Sequence, residues 1–65
     1  MSVRFIVQGW QGGKKTERET ASHKNLAVIS GLKMLESRCD FVAIEDLQAR
    51  DASKSCVWCK EKMVE

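Results

Sequence analysis

The segment Val3–Trp10, followed at once by Gln11-Gly12-Gly13-Lys14-Lys15, constrains the fold more than any other part of the chain. Valine, isoleucine, phenylalanine and tryptophan suit a pleated, half-buried surface, and two adjacent glycines followed by polar residues signal a tight hairpin. The spacing predicts a first strand over Val3–Trp10 with two unlike faces. Val3, Phe5, Val7 and Gly9 form an apolar side, and Arg4, Ile6, Gln8 and Trp10 a mixed one, so the first is the expected core face. Lys15–Thr20 reads as the return strand. It has no apolar side of its own and suits a solvated edge, where charge discourages further strand pairing.

A helix is expected next. Ala21, Asn25, Val28, Ile29, Leu32 and Leu35 recur at helical spacing, with His23, Ser30 and Ser37 opposite. Ser22, or Thr20 for an earlier start, has the right chemistry for the N-cap. Gly31 costs about 1 kcal/mol against alanine inside a helix, which points to close packing on the sheet. Lys33 and Arg38 near the far end suit the helix dipole. Asp40–Leu47 reads as a third strand, apolar at its start and polar at its end, and 48–55 is rich in turn formers. The tail 56–64 is compatible with a fourth strand, from Cys56-Val57-Trp58, or with a short helix, from Lys60-Glu61-Lys62-Met63.

These elements define one small α+β domain spanning 1–65: a β-hairpin, a helix, a strand and a potential fourth strand, with a mostly antiparallel sheet covered by one helix. Its expected core is Phe5, Val7, Val28, Ile29, Leu32, Leu35, Val42 and Ile44. A chain of 65 residues buries only about 60% of its unfolded surface, so dimerisation or partner binding is a plausible way to complete the fold. It also has little material for both a core and a substrate pocket, and it contains no assembled catalytic set, which argues against an enzyme. No apolar run approaches the ~20 residues of a membrane span, and the start lacks the pattern of a signal peptide. The expectation is a cytoplasmic protein whose three cysteines are reduced. Charge is uneven: residues 1–38 hold seven basic and three acidic side chains, and 39–65 four basic and six acidic.

Four constellations bear on chemistry. Gly9–Thr16 loosely resembles a phosphate loop, but its spacing is one residue short and lysine stands at the hydroxyl position, so the plainer reading is a glycine hairpin with solvated lysines. Cys56 and Cys59 have the spacing of a zinc knuckle, which Cys39 and His23 would have to complete; no second knuckle is present, and no cofactor is expected. Residues 44–60 resemble the helix-turn-helix of bacterial winged-helix regulators, which would place Lys54, Ser55 and Trp58 at the major groove. Trp10, Lys14, Lys15 and Arg18 offer an aromatic surface within a basic hairpin, as in nucleic-acid binders.

The face left uncovered by the helix is the favoured contact surface. Ile6, Trp10, Phe41 and Trp58 are its expected residues, because aromatic side chains are enriched at interface hot spots. The expected function is protein binding without catalysis. The strand ending in Val7-Gln8-Gly9-Trp10, the glycine turn, the single helix and the Phe-Val-Ala-Ile-Glu-Asp strand resemble small accessory proteins of tailed bacteriophages, one of which is an antitoxin that blocks a host toxin nuclease. That resemblance implies an inhibitor of a host protein. A small nucleic-acid-binding protein, using the basic hairpin or the segment 44–60, is the alternative.

Overall fold

The computed structural model describes residues 3–62. The chain runs β1 (Phe5–Gln11), β2 (Lys14–Ala21), α1 (Lys24–Ser37), β3 (Phe41–Asp46), a single 3₁₀ turn (Ala52–Lys54) and β4 (Cys56–Glu61). The four strands form one open sheet in the order β2-β1-β3-β4, every pairing antiparallel. The expected α+β domain is therefore the observed one, and the ambiguous tail is a strand as far as Glu61; its expected continuation through 63 and 64 lies outside the described residues.

Local chemistry explains the hairpin. A two-residue loop whose twist matches the strands requires positive φ at both positions, and Gly12 and Gly13 adopt 60° and 83°. Asp40 holds the loop in place. Its carboxylate accepts the Gly12 N–H at 3.0 Å, its own N–H donates to the Trp10 carbonyl at 2.8 Å, and its carbonyl accepts the Lys62 N–H at 2.7 Å. One residue thus ties the hairpin tip, the entry to β3 and the end of β4.

The helix begins later than its capping chemistry predicts. β2 continues to Ala21, whose carbonyl accepts the Arg4 N–H, leaving two residues for the reversal. His23, not Ser22 or Thr20, is the N-cap, and its side chain makes no capping bond. The buried face also differs from the expected one. Ala27, Gly31, Met34 and Leu35 point into the core, while Asn25 is exposed and Val28 only half-buried. Ile29 and Leu32 remain 49% and 37% exposed, with Leu26 at 52%. The reason is distance. A Cβ on Gly31 would lie 2.9 Å from Val42 Cγ1 and 3.1 Å from Trp58 Cζ3. Where the helix crosses Val42 and Trp58 it lies so close to the sheet that only a residue without a side chain fits at position 31, and Ile29 and Leu32 are turned outward. The core comprises Phe5, Val7, Ala27, Met34, Leu35, Cys39, Val42 and Ile44, with Ala21, Val28, Val57 and Trp58 packed at its margin. No helix among the described residues is long and apolar enough to cross a membrane.

Candidate partner-binding face

The helix covers one side of the sheet, and strand register places the other side in three transverse rows. The first row is Lys15, Trp10, Phe41 and Glu61, one residue from each strand in spatial order. The second is Arg18, Gln8, Ala43 and Cys59, and the third Thr20, Ile6, Glu45 and Cys56. A bulge in each outer pairing sets this alignment. Thr16 is the extra residue opposite Gly9/Trp10, bringing Lys15 beside Trp10. A second shift opposite Ile44/Glu45 places both Cys56 and Cys59 on the helix-free side, although they are three positions apart.

The first row contains the strongest contacts. The Trp10 and Phe41 rings meet edge to face, with centroids 5.4 Å apart and planes inclined at 60°. That arrangement lets the positive ring edge meet the negative ring face, and it fixes two large side chains with little freedom left to lose on binding. Lys15 Nζ lies 5.6 Å from the Trp10 ring centroid on the other side, within cation–π range. Both aromatic residues are half-buried in their neighbours and half-open to solvent. On β3 the small Ala43 stands between Phe41 and Glu45 on this side of the sheet.

Charge on this face is segregated. Lys15 and Arg18 line the β2 side, whereas Glu45 and Glu61 stand on the β3–β4 side, with Trp10 and Phe41 between. At the end of the sheet, Arg4 Nε approaches Asp46 Oδ1 at 3.4 Å. Two contacts stabilise the ionised Asp46 carboxylate and hold its pKa below the ordinary value, first the Gln48 backbone N–H and then the Arg4 guanidinium. Asp51 is lowered likewise by the Ser53 hydroxyl and backbone N–H.

The structure brings together Trp10, Phe41, Lys15 and Arg18. Lys14 pairs with Gln11 at the mouth of the turn, one residue out of phase with Lys15, and does not join the row. Ile6 belongs to the helix-free side, but its side chain is buried, so it supports the face rather than offering a contact. Trp58 is on the opposite side. It pairs with Ile44 and packs beneath Gly31, which corrects the expectation that it shares a surface with Trp10. The potential zinc ligands are not assembled. Cys39 is fully buried on the helix side beneath Gly9, Cys56 and Cys59 are exposed on β4, and His23 is at the other end of the helix from Cys39. Among the described residues no group of three or more His, Cys, Asp or Glu is placed to hold a metal ion. Residues 44–60 contain strand, turn, a single 3₁₀ turn and strand, so the expected recognition helix does not exist.

Sequence reasoning missed Glu45 and Glu61 as members of this surface. Their positions follow from the alternation of β3 and from the pairing of β4 with it, which sets Glu61 opposite Phe41. No protein family, curated protein sequence or solved structure matches this chain.

Proposed function

We propose that this chain is a protein-binding module that acts without catalysis, and that the helix-free sheet face is its contact surface. The observation that carries this reading is the first row, in which a preformed Trp10–Phe41 pair lies between a cation and a carboxylate. An aromatic centre with a rim of both signs is the anatomy of a protein interface. A nucleic-acid strand on the same face would bring its phosphates against Glu45 and Glu61. In the phage accessory proteins that the sequence resembles, binding blocks a host protein, and inhibition of the bound partner is the corresponding reading here.

The test compares capture of proteins by the immobilised chain and by its Trp10→Ala variant, with Ile29→Glu as a control on the opposite side. A protein retained by the wild type and the control but lost with Trp10→Ala supports the module. Lys15 and Arg18 beside Trp10 also favour a second reading, a single-stranded nucleic-acid platform. Oligonucleotide binding that falls steeply with salt, is lost in Arg18→Glu and strengthens in Glu61→Lys would establish that reading and overturn the first.

A further inference from the structure

Cys56 and Cys59 share the helix-free side of β4, an edge strand, and both are free and exposed. Three positions apart, they would fall on opposite sides of a regular strand. Val57 changes that. It is the residue without a partner at the β3–β4 bulge, and with Trp58 it packs toward the core, so the thiols flanking the two emerge on the same side. They stand opposite Glu45 and Ala43, two positions apart on β3, which sets them about 6.5 Å from each other along the sheet. The Cys56 thiol donates to the Trp58 carbonyl at 3.8 Å, and that carbonyl carbon is bonded to the Cys59 nitrogen, so the Cys56 sulfur leans toward Cys59.

This spacing decides what the pair can hold. A disulfide needs β-carbons about 3.5–4.5 Å apart, nearer than two same-side positions on a strand, so the sulfurs cannot bond to each other without displacing the bulge. A single ion between them bridges the gap, because two metal–sulfur bonds of about 2.3 Å hold the sulfurs well apart. Zinc, which takes four ligands, is not served: among the described residues no third His, Cys, Asp or Glu completes the group. Thiolates select soft cations, and Cu(I) is the soft cation that two sulfurs satisfy. The small Ala43 beside Cys59 leaves the ion room, and Glu45 beside Cys56 adds negative charge that favours a cation over an anion.

We propose that Cys56 and Cys59 form a two-sulfur site for Cu(I). Binding deprotonates both thiols: two S–H bonds break, two Cu–S bonds form and two protons pass to solvent. The copper enters and stays as Cu(I), so the step needs neither oxidant nor reductant. The edge position keeps the ion open to solvent and to competing thiols, so the site exchanges its metal instead of burying it. It is independent of the protein-binding reading, since neither Trp10 nor Phe41 contributes a ligand.

Anaerobic titration of the reduced full chain against a coloured Cu(I) chelator tests the site. One Cu(I) per chain is expected to leave the chelator, and native mass spectrometry is expected to show a single chain holding one copper in place of two protons. Cys56→Ser and Cys59→Ser are each expected to weaken binding at least about a hundredfold, the advantage of two linked ligands over one. Cys39→Ala, at the buried cysteine, is expected to bind as the wild type does. Cys56→Ser/Val57→Cys is the sharper variant. It keeps two thiols on β4 but turns one toward the helix, and is expected to bind no better than Cys56→Ser. No transfer from the chelator, binding that survives either serine variant, a copper shared between two chains, or recovery in the double variant would each overturn the site. So would ready closure of a Cys56–Cys59 disulfide by oxidised glutathione in the folded protein, because it would place the sulfurs nearer than the strand register allows.

Discussion

Gly31→Ala sets two effects of known size against each other. Alanine is favoured over glycine in a helix interior by about 1 kcal/mol, and an exposed site would gain that amount. Here the added methyl would stand 2.9 Å from Val42 Cγ1 and 3.1 Å from Trp58 Cζ3. Trp58 is half-buried on an edge strand and can swing aside. Val42 is fully buried in β3, paired on both sides and stiff at χ1, so it cannot yield without moving the sheet or lifting the helix. Inserting a methylene into such a site costs about 1–3 kcal/mol. Subtracting the propensity gain leaves a net destabilisation of about 1 kcal/mol, which for a domain this small lowers the melting temperature by about 4–8 °C.

Urea unfolding monitored by circular dichroism measures this directly, as a lower midpoint at unchanged slope. The decisive arm is the Val42→Ala background. That change removes the obstructing methyl and leaves space which alanine at 31 then fills, so Gly31→Ala is expected to become stabilising there. The reversal of sign corresponds to a coupling of about 2 kcal/mol between the two positions. Stabilisation by Gly31→Ala in the wild-type background, or strict additivity with Val42→Ala, would refute the claim that helix–sheet distance sets which helix face is buried.

Other expectations are simpler. Gly13→Ala forces a side chain into positive φ and is expected to cost about 1 kcal/mol or more in urea unfolding, whereas Gly12→Asn is tolerated because asparagine accepts that conformation and keeps the N–H that Asp40 accepts. A thiol reagent is expected to modify Cys56 and Cys59 rapidly in the folded protein and Cys39 only on unfolding, giving two fast groups followed by one slow one; a third fast thiol would contradict the packing of Cys39 beneath Gly9. Asp46 and Asp51 have folded pKa values below their unfolded ones, so their contribution is present above the ordinary aspartate range, about pH 4, and is lost as pH falls through the depressed values. Asp46→Asn is accordingly expected to flatten the fall in stability below about pH 4, measured by urea unfolding across pH 3–6.

The elements that follow from local chemistry were legible in the sequence, and those that depend on distances between elements were not. Period-two alternation identified β1 and its core face, Phe5 and Val7, and the Gly12-Gly13 pair identified the turn. The existence of the helix was equally plain. Its orientation was not, because two faces compete. Apolarity favours Val28, Ile29 and Leu32, whereas close approach to a sheet favours Ala27 and Gly31. Size prevailed over hydrophobicity, and Gly31, read as a mark of close packing, was the clue to which face would win. Trp58 was assigned to the wrong side for a related reason. The unbroken β3–β4 register from Phe41/Glu61 to Ile44/Trp58 sets Trp58 on the side of Ile44, and the bulge beyond it returns Cys56 to the side of Cys59. Which β3 residue stands opposite Trp58 thus decides whether a tryptophan belongs to the core or to a binding surface, and no propensity encodes that pairing.

The outward turn of Leu26, Ile29 and Leu32 follows from the way the helix packs on the sheet. Had the helix buried those residues, its contact layer would have been bulkier and the sheet farther away, leaving space above Val42 and Gly9 that Ala27, Cys39 and Met34 now fill. Close packing therefore requires an exposed aliphatic ridge, and that ridge lies on the side of the molecule facing away from Trp10 and Phe41. Capture by the sheet face should accordingly be unchanged in Ile29→Glu, which alters only the exposed helix ridge, and lost in Trp10→Ala. Equal loss in both variants would mean that the helix ridge itself belongs to the partner-binding surface.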